Sequence, residues 1–263
     1  MHMDVLVVSI VAGLFTAAWG AYKDAPYERF SRASFWRSTW FCLVIAGVLL
    51  EASALRERFT HLYLVQVFFL VMGVERIAIE IYKPCFRRED QGKYLIPQDC
   101  SFFGLHVENN AALIVFGVAL ISGVLGLLSI GTVIHSYPQH LAVSVGTGLF
   151  ICCGGAAKDA PFEGFQPRKF LRSALVLAAV SPLLYLLGRA PLGMLIFING
   201  GFERLIVESY KTYFTPHRPG KFRRDLPIID HRILAWRPVF RAVAIGTVIL
   251  LVTLYAHALM AHA

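Results

Sequence analysis

The chain has 263 residues, 57% of them hydrophobic and 16% charged, with a formal net charge of +8 and a mean hydropathy of +0.60. That is too apolar for a water-soluble domain of this length. The basic residues lie scattered over four segments that flank apolar runs, which argues against nucleic acid as a partner and for a polytopic, all-α membrane protein.

A membrane-crossing helix needs about 20 mostly apolar residues. In chain order, segments of that kind lie near 3–22, 37–54, 60–82, 110–134, 139–157, 170–188, 191–210 and 238–260. Eight spans are expected. The first has no basic region ahead of Val5, so it reads as a span and not as a cleavable signal. It closes on Lys23-Asp24-Ala25-Pro26-Tyr27-Glu28-Arg29-Phe30, where Pro26 is expected to stop the helix. The third span carries Glu75, Arg76 and Glu80 in its inner third and ends at Lys83. A long basic loop over 83–109 follows, with Phe102, Phe103 and Leu105 as apolar anchors for a membrane interface. The fifth span holds Gly146, Gly148, Gly154 and Gly155, small residues that permit close helix approach. It closes on Lys158-Asp159-Ala160-Pro161-Phe162-Glu163-Gly164-Phe165, with Pro161 as the expected stop. The seventh span carries Glu203, Arg204 and Glu208 and runs into Lys211; a second basic loop over 211–237 precedes the last span.

The two closing motifs match at six of eight positions with an offset of 135, and the charged residues of the third span return in the seventh with an offset of 128. Phe35, Arg37 and Ser38 recur as Phe170, Arg172 and Ser173, and Gly73 and Gly92-Lys93 recur as Gly201 and Gly220-Lys221. This order-preserving ladder predicts a tandem duplication, with residues 1–134 and 135–263 as two four-helix repeats. An even number of spans per repeat gives both the same orientation, related by a pseudo-two-fold axis along the membrane normal. The segments 23–37, 83–108, 158–172 and 211–241 together carry twenty Lys and Arg, whereas the opposite loops carry Arg56, Arg58 and Arg189. The basic face is therefore expected to be cytoplasmic, with both termini on the other side of a bacterial-type inner or plasma membrane. Anionic lipid headgroups are the implied membrane partner.

The chemistry-bearing candidates are the charges that sit deepest. Glu75 lies eight residues inside Lys83, about 12 Å below the rim at ~1.5 Å per residue, and Glu203 sits at the same depth. An ionised side chain near the bilayer centre costs about 2.5–3.5 kcal/mol on insertion scales, so Glu75, Arg76, Glu203 and Arg204 are expected to face protein or water. Arg76 with Glu80, and Arg204 with Glu208, stand at i,i+4 and can pair along one helix face. Glu75 and Glu203 are left to find a proton, a lysine, a ligand or the arginine of the other repeat. Asp24 and Asp159 are expected to meet the charged ends of these helices, and Lys23, Lys83, Lys158 and Lys211 to form a rim that gathers anions. Arg29 is replaced by Gly164, so the two clusters need not be equivalent.

Patterns for other enzyme chemistries are weak. The nine histidines are scattered (His2, His61, His106, His135, His140, His217, His231, His257 and His262) and none shows metal-ligand spacing. No GxSxG elbow or GxxxxGK[ST] loop is present. A carboxylate pair, Glu75 with Glu80 or Asp24 with Glu28, offers Mg²⁺ binding with a lipid diphosphate, the best enzymatic alternative. No resident cofactor is indicated. The leading expectation is binding and translocation of an anionic small molecule, lipid headgroup or coupled ion through a polar region between the repeats, with Glu75 and Glu203 as proton or cation carriers. A non-catalytic membrane subunit that docks protein partners is the second expectation, and a lipid-phosphate-modifying enzyme the third.

Overall fold

A computed structural model describes residues 2–87, 89–102, 105–107, 109–215 and 219–261. Phe103, His217 and His262, and the side chains of Phe102, Leu105 and His106, lie outside the described residues. Among the described residues the chain is mainly helical, with one ladder of two-residue strands and isolated bridges between loops. In order, the elements are α1 (His2–Lys23), α2 (Ala25–Glu28), α3 (Arg32–Glu51), α4 (Ser53–Thr60), α5 (Leu64–Cys85), β1 (Ser101–Phe102), β2 (Leu105–His106), α6 (Asn110–Leu128), α7 (Tyr137–Glu163), α8 (Pro167–Phe170), α9 (Arg172–Leu186), α10 (Leu192–Ser209), a π-helical turn (Tyr210–Phe214), α11 (Arg232–Ala235) and α12 (Arg237–Met260).

Among the described residues, six helices are long and apolar enough to cross a membrane: α1, α3, α6, α7, α8 with α9, and α12. Helices α5 and α10 stand apart from that set because each carries a Glu-Arg pair and a second Glu in its inner third. Burial separates the two kinds. From Val65 to Glu75 every residue of α5 is buried, which places this helix at the centre, whereas α6 exposes Ile114, Val115, Phe116 and Val118 on its outer surface. So much exposed aliphatic surface suits hydrocarbon and would be an aggregation hazard in water.

Local signals explain where the helices begin. Ser31 caps α3, accepting from the Ser34 amide, and Asn109 caps α6, accepting from Ala111 and Ala112. Tyr63 and Gln66 form a reciprocal cap on α5. Each satisfies an otherwise orphaned first-turn group. The expected proline stops are corrected in detail. Helix α1 ends at Lys23, before Pro26, which instead sits in the first turn of α2, where its missing N–H costs nothing. Helix α7 runs through Pro161 to Glu163, which it can do because the proline lies in the last turn and interrupts at most one ladder bond.

Three tight packings organise the bundle: α1 on α3, α7 on α9, and α5 on α10. The last is the seam of the molecule. A Cβ on Gly73 would collide with the Phe197 carbonyl, and one on Gly201 with the Phe69 carbonyl, so both helices need bare backbone where they cross. These contacts are reciprocal, since 69 matches 197 and 73 matches 201 at the offset of 128. In the same way, Gly13 meets Thr39 while Gly148 meets Ala174, matched pairs at the offset of 135. The fourth helix of each half behaves differently: α12 packs along α1, while α6 packs on α5 and α10.

Candidate functional site

The C-terminal ends of α1, α5, α7 and α10 converge on one cavity of about 420 Å³. Its described lining holds eight basic residues (Lys23, Lys83, Lys158, Lys169, Lys211, Lys221, Arg76 and Arg204) against five acidic ones (Asp24, Glu80, Asp159, Glu163 and Glu208). The lining thus presents more basic than acidic side chains, while Arg76, Arg204 and Lys221 are each also paired with a carboxylate behind the wall, Glu203, Glu75 and Glu28. Trp19, Ile96, Gln98, Thr215, Pro219 and Gly220 complete the wall.

The floor of the cavity is a crossed pair of salt bridges between α5 and α10. Arg76 Nη1 lies 2.5 Å from Glu203 Oε2, and Arg204 binds Glu75 in the reciprocal sense. The pairing expected along each helix, Arg76 with Glu80 and Arg204 with Glu208, is thereby corrected. The physical reason is that α5 and α10 touch at Gly73 and Gly201, which brings each guanidinium closer to the opposite helix's buried carboxylate than to its own i+4 neighbour. Glu75 is 0% exposed and Glu203 1%, so neither faces lipid; neither lines the cavity. Only their arginine partners reach it.

Freed from the arginines, the outer carboxylates take lysines from the other half. Lys23 Nζ is 2.9 Å from Glu208 Oε2, and Lys158 Nζ is 3.1 Å from Glu80 Oε2. Each carboxylate also keeps a lysine of its own helix end, Lys211 at 3.0 Å from Glu208 and Lys83 at 3.6 Å from Glu80. The ten candidate residues other than Asp24 and Asp159 thus form two layers, a pair of Arg–Glu bridges below and two carboxylates each held by two lysines above.

Asp24 and Asp159 part company. Asp24 binds Lys221 Nζ at 2.9 Å, together with Glu28 at 3.1 Å, whereas Asp159 binds Lys169 at 3.4 Å. Asp24 shares the cavity wall with Glu80 and Lys83 at the charged end of α5, while its direct ion pair is to Lys221, on the loop after α10, which takes Glu28 as well. That contact also engages the Asp24/Glu28 pair considered for Mg²⁺. The Tyr94 hydroxyl donates to Glu28 at 2.7 Å. Burial alone would raise the Glu28 carboxyl, but Lys221 and Tyr94 outweigh it and hold it below the usual carboxylate range. Burial would likewise lower the Lys221 ammonium, yet Asp24 and Glu28 hold it above its ordinary value.

Parts of the two long loops close over the cavity, through Ile96 and Gln98 from one and Pro219, Gly220 and Lys221 from the other. Tyr94 and Phe222 form an antiparallel bridge, the Leu95 amide donates to the Lys221 carbonyl at 2.8 Å, and the Arg223 amide donates to the Lys93 carbonyl at 3.2 Å. Their rings stack at 5.6 Å. Tyr94 and Phe222 are themselves matched at the offset of 128.

Sequence reasoning did not single out Trp19, Lys169, Lys221 or Ser173 as site residues. Trp19 lies under the Arg204 guanidinium at 5.0 Å, and the Ser173 hydroxyl donates to Glu203 Oε1 at 2.5 Å. Lys221 and Ser173 had a usable signal, since both belong to the repeated ladder; Trp19 and Lys169 had none. Of the histidines, His140 is buried against the Tyr185 ring. Among the described residues, no group of three His, Cys, Asp or Glu is placed to hold a metal ion.

The sequence matches no protein-family model, and comparisons with curated proteins and with solved structures return no significant match.

Proposed function

We propose that this chain is an integral membrane protein of eight spans, built as two like-oriented repeats (1–134 and 135–263), that binds an anionic headgroup or small anion at its cytoplasmic face. The single observation that carries the reading is that, in a cavity where four helices end, four lysines (Lys23, Lys83, Lys158 and Lys211) share two carboxylates, Glu80 and Glu208. Cationic walls of low dielectric concentrate anions and strengthen their binding relative to bulk water. The reciprocal Arg76–Glu203 and Arg204–Glu75 bridges, the matched glycine contacts and the Tyr94–Phe222 bridge support the repeat arrangement. The shielding of charge on α5 and α10 supports counting these two helices as spans. The basic flanks support the assignment of the cavity to the cytoplasmic side, with both termini opposite.

In this reading Lys83, Lys158, Lys211 and Lys23 engage the ligand by exchanging their carboxylate partners for it. Arg76 and Arg204 form the floor, and Glu75 and Glu203 hold those arginines in place. Binding is favoured over passage, because the backbones of α5 and α10 meet at Gly73 and Gly201 immediately beyond the ion-pair layer.

The test is calorimetric titration of the purified protein with glycerol phosphate. Binding is expected to weaken with salt and to fall about ten-fold in Lys83→Gln and Lys158→Gln, each of which removes one charge contact worth about 1.5–3 kcal/mol at most. Arg56→Gln, in an opposite loop, is expected to change nothing. Titration without heat, or equal affinity in all three variants, would refute the proposal.

A further inference from the structure

A second cavity of about 140 Å³ adjoins the first. Arg76, Asp159, Lys169 and Lys211 line both, so the two spaces share a wall of charged side chains. On its other side the smaller space has an apolar wall of Ile151, Cys152, Gly155, Ala156, Phe165 and Phe170, with Gln166, Arg172 and Ser173 beside it, between α7 and the start of α9. Ile151 lies seven residues inside Lys158, which is about 10 Å below the rim at ~1.5 Å per residue, well within the depth of hydrocarbon. Phe165 at its edge is 60% exposed, and Phe150, beside Ile151, is 77% exposed. The space is therefore a groove that leads from the outer, apolar surface of the bundle to the cationic cavity.

The two halves are filled differently near this point. At the offset of 135 the residues matched to Trp19 and Tyr22 are Gly154 and Ala157. Trp19 is 6% exposed and packs over Arg204, and Tyr22 is enclosed by Arg237 and Arg241 of α12. The groove itself is walled on the α7 side by Ile151, Cys152, Gly155 and Ala156, and a side chain begun at Gly155 would meet no atom within 4 Å.

Resting on the reading of the cavity as an anion site, we infer that the ligand is a phosphate-bearing membrane lipid, with its headgroup in the cationic cavity and its acyl chain leaving through the α7–α9 groove. A water-soluble anion would need no apolar exit at membrane depth. A lipid phosphate needs both a cationic pocket and an apolar path continuous with it, because neither end tolerates the other's surroundings.

The test compares phosphatidic acid with glycerol phosphate on the full chain in nanodiscs of neutral lipid. The unaltered protein is expected to hold phosphatidic acid at least about ten-fold more tightly, a difference that burial of only two or three methylenes supplies. Gly155→Trp, which puts an indole on the groove's own wall, is expected to abolish that advantage and leave glycerol phosphate binding within about two-fold. Equal affinity of the unaltered protein for both probes, or full phosphatidic acid affinity in G155W, overturns the lipid inference while the anion site stands. Binding of neither probe overturns both. A phosphatidic acid with a photoreactive group on its acyl chain serves the unaltered protein directly: crosslinks within 150–172 are expected, and labelling confined to α6 and α12 would sink the groove.

Discussion

The two halves of the molecule use the same charged residues in different surroundings. In one, Glu75 is sealed: Arg204 binds one carboxylate oxygen, the other has no hydrogen-bond partner, and Trp19 covers the guanidinium. In the other, Glu203 has both oxygens engaged, by Arg76 and Ser173, and Arg76 is 27% exposed toward open space. Ser38 stands at the position matched to Ser173, yet it does not satisfy Glu75. A duplicated motif therefore sets up two ion pairs, and the neighbours decide which one is a strut and which one is accessible. The sealed pair holds α5 to α10. The open pair sits where the two cavities adjoin, since Arg76 lines both.

The sharpest way to break this comparison is to remove one arginine from each half. Arg204→Ala leaves a carboxylate at 0% exposure without its partner and is expected to destabilise by about 3–5 kcal/mol. Arg76→Ala leaves Glu203 with the Ser173 hydroxyl and room for water from the cavity, so a loss of about 1.5–3 kcal/mol is expected. Unfolding in mild detergent, followed by circular dichroism, measures both. Equal losses would mean that the two pairs are energetically alike, whatever their surroundings.

A smaller effect should appear at the roof, where Lys221 clasps Asp24 and Glu28 and the matched Lys93 turns instead to Glu89. Glu28 has a depressed pKa in the folded protein. Its contribution is present above the unfolded carboxylate value of about 4.3 and is lost as pH falls through the lower folded value. Lys221 is raised, so its contribution is present below about 10.4 and is lost as pH rises through the higher folded value. The roof is thus expected to stay closed across neutral pH and to open at the acid extreme. Hydrogen exchange at the Leu95 and Arg223 amides reads this directly. Glu28→Gln should bring faster exchange at neutral pH and a flatter acid response; an unchanged acid response would remove Glu28 from the clasp.

The smallest expected effect concerns Arg29, matched to Gly164. Both have positive φ, 68° and 77°, with extended ψ, a region that glycine occupies freely and other residues do not. Arg29→Gly is expected to stabilise the first half by about 1 kcal/mol. A decrease in melting temperature would show that the Arg29 side chain contributes more than its backbone costs.

Much of this architecture was legible in the chain. Apolar run lengths located the helices, usually within a few residues, because burial of about 20 apolar residues leaves little freedom in where a span can lie. The limits were the ends: α3 begins five residues before its apolar run, at the Ser31 cap, and α7 overruns Pro161. Depth and repetition also pointed to the charged residues on α5 and α10. Their partners were not legible. Spacing within one helix favoured Arg76 with Glu80 and Arg204 with Glu208, since a single sequence displays i,i+4 neighbours and says nothing of which backbones cross.

Composition and repetition thus determined a helical chain with segments long and apolar enough to cross a membrane and two sets of ionisable residues at matching positions within them, because hydrophobic length and the placing of charge are both written in the sequence. Only the tertiary structure decided that these sets interlock across the α5–α10 seam, that the two long loops meet beside one charged cavity, and that a groove opens beside α7. Those features depend on close approach of segments more than a hundred residues apart and on single side chains such as Trp19, whose effect comes from the volume they fill in three dimensions.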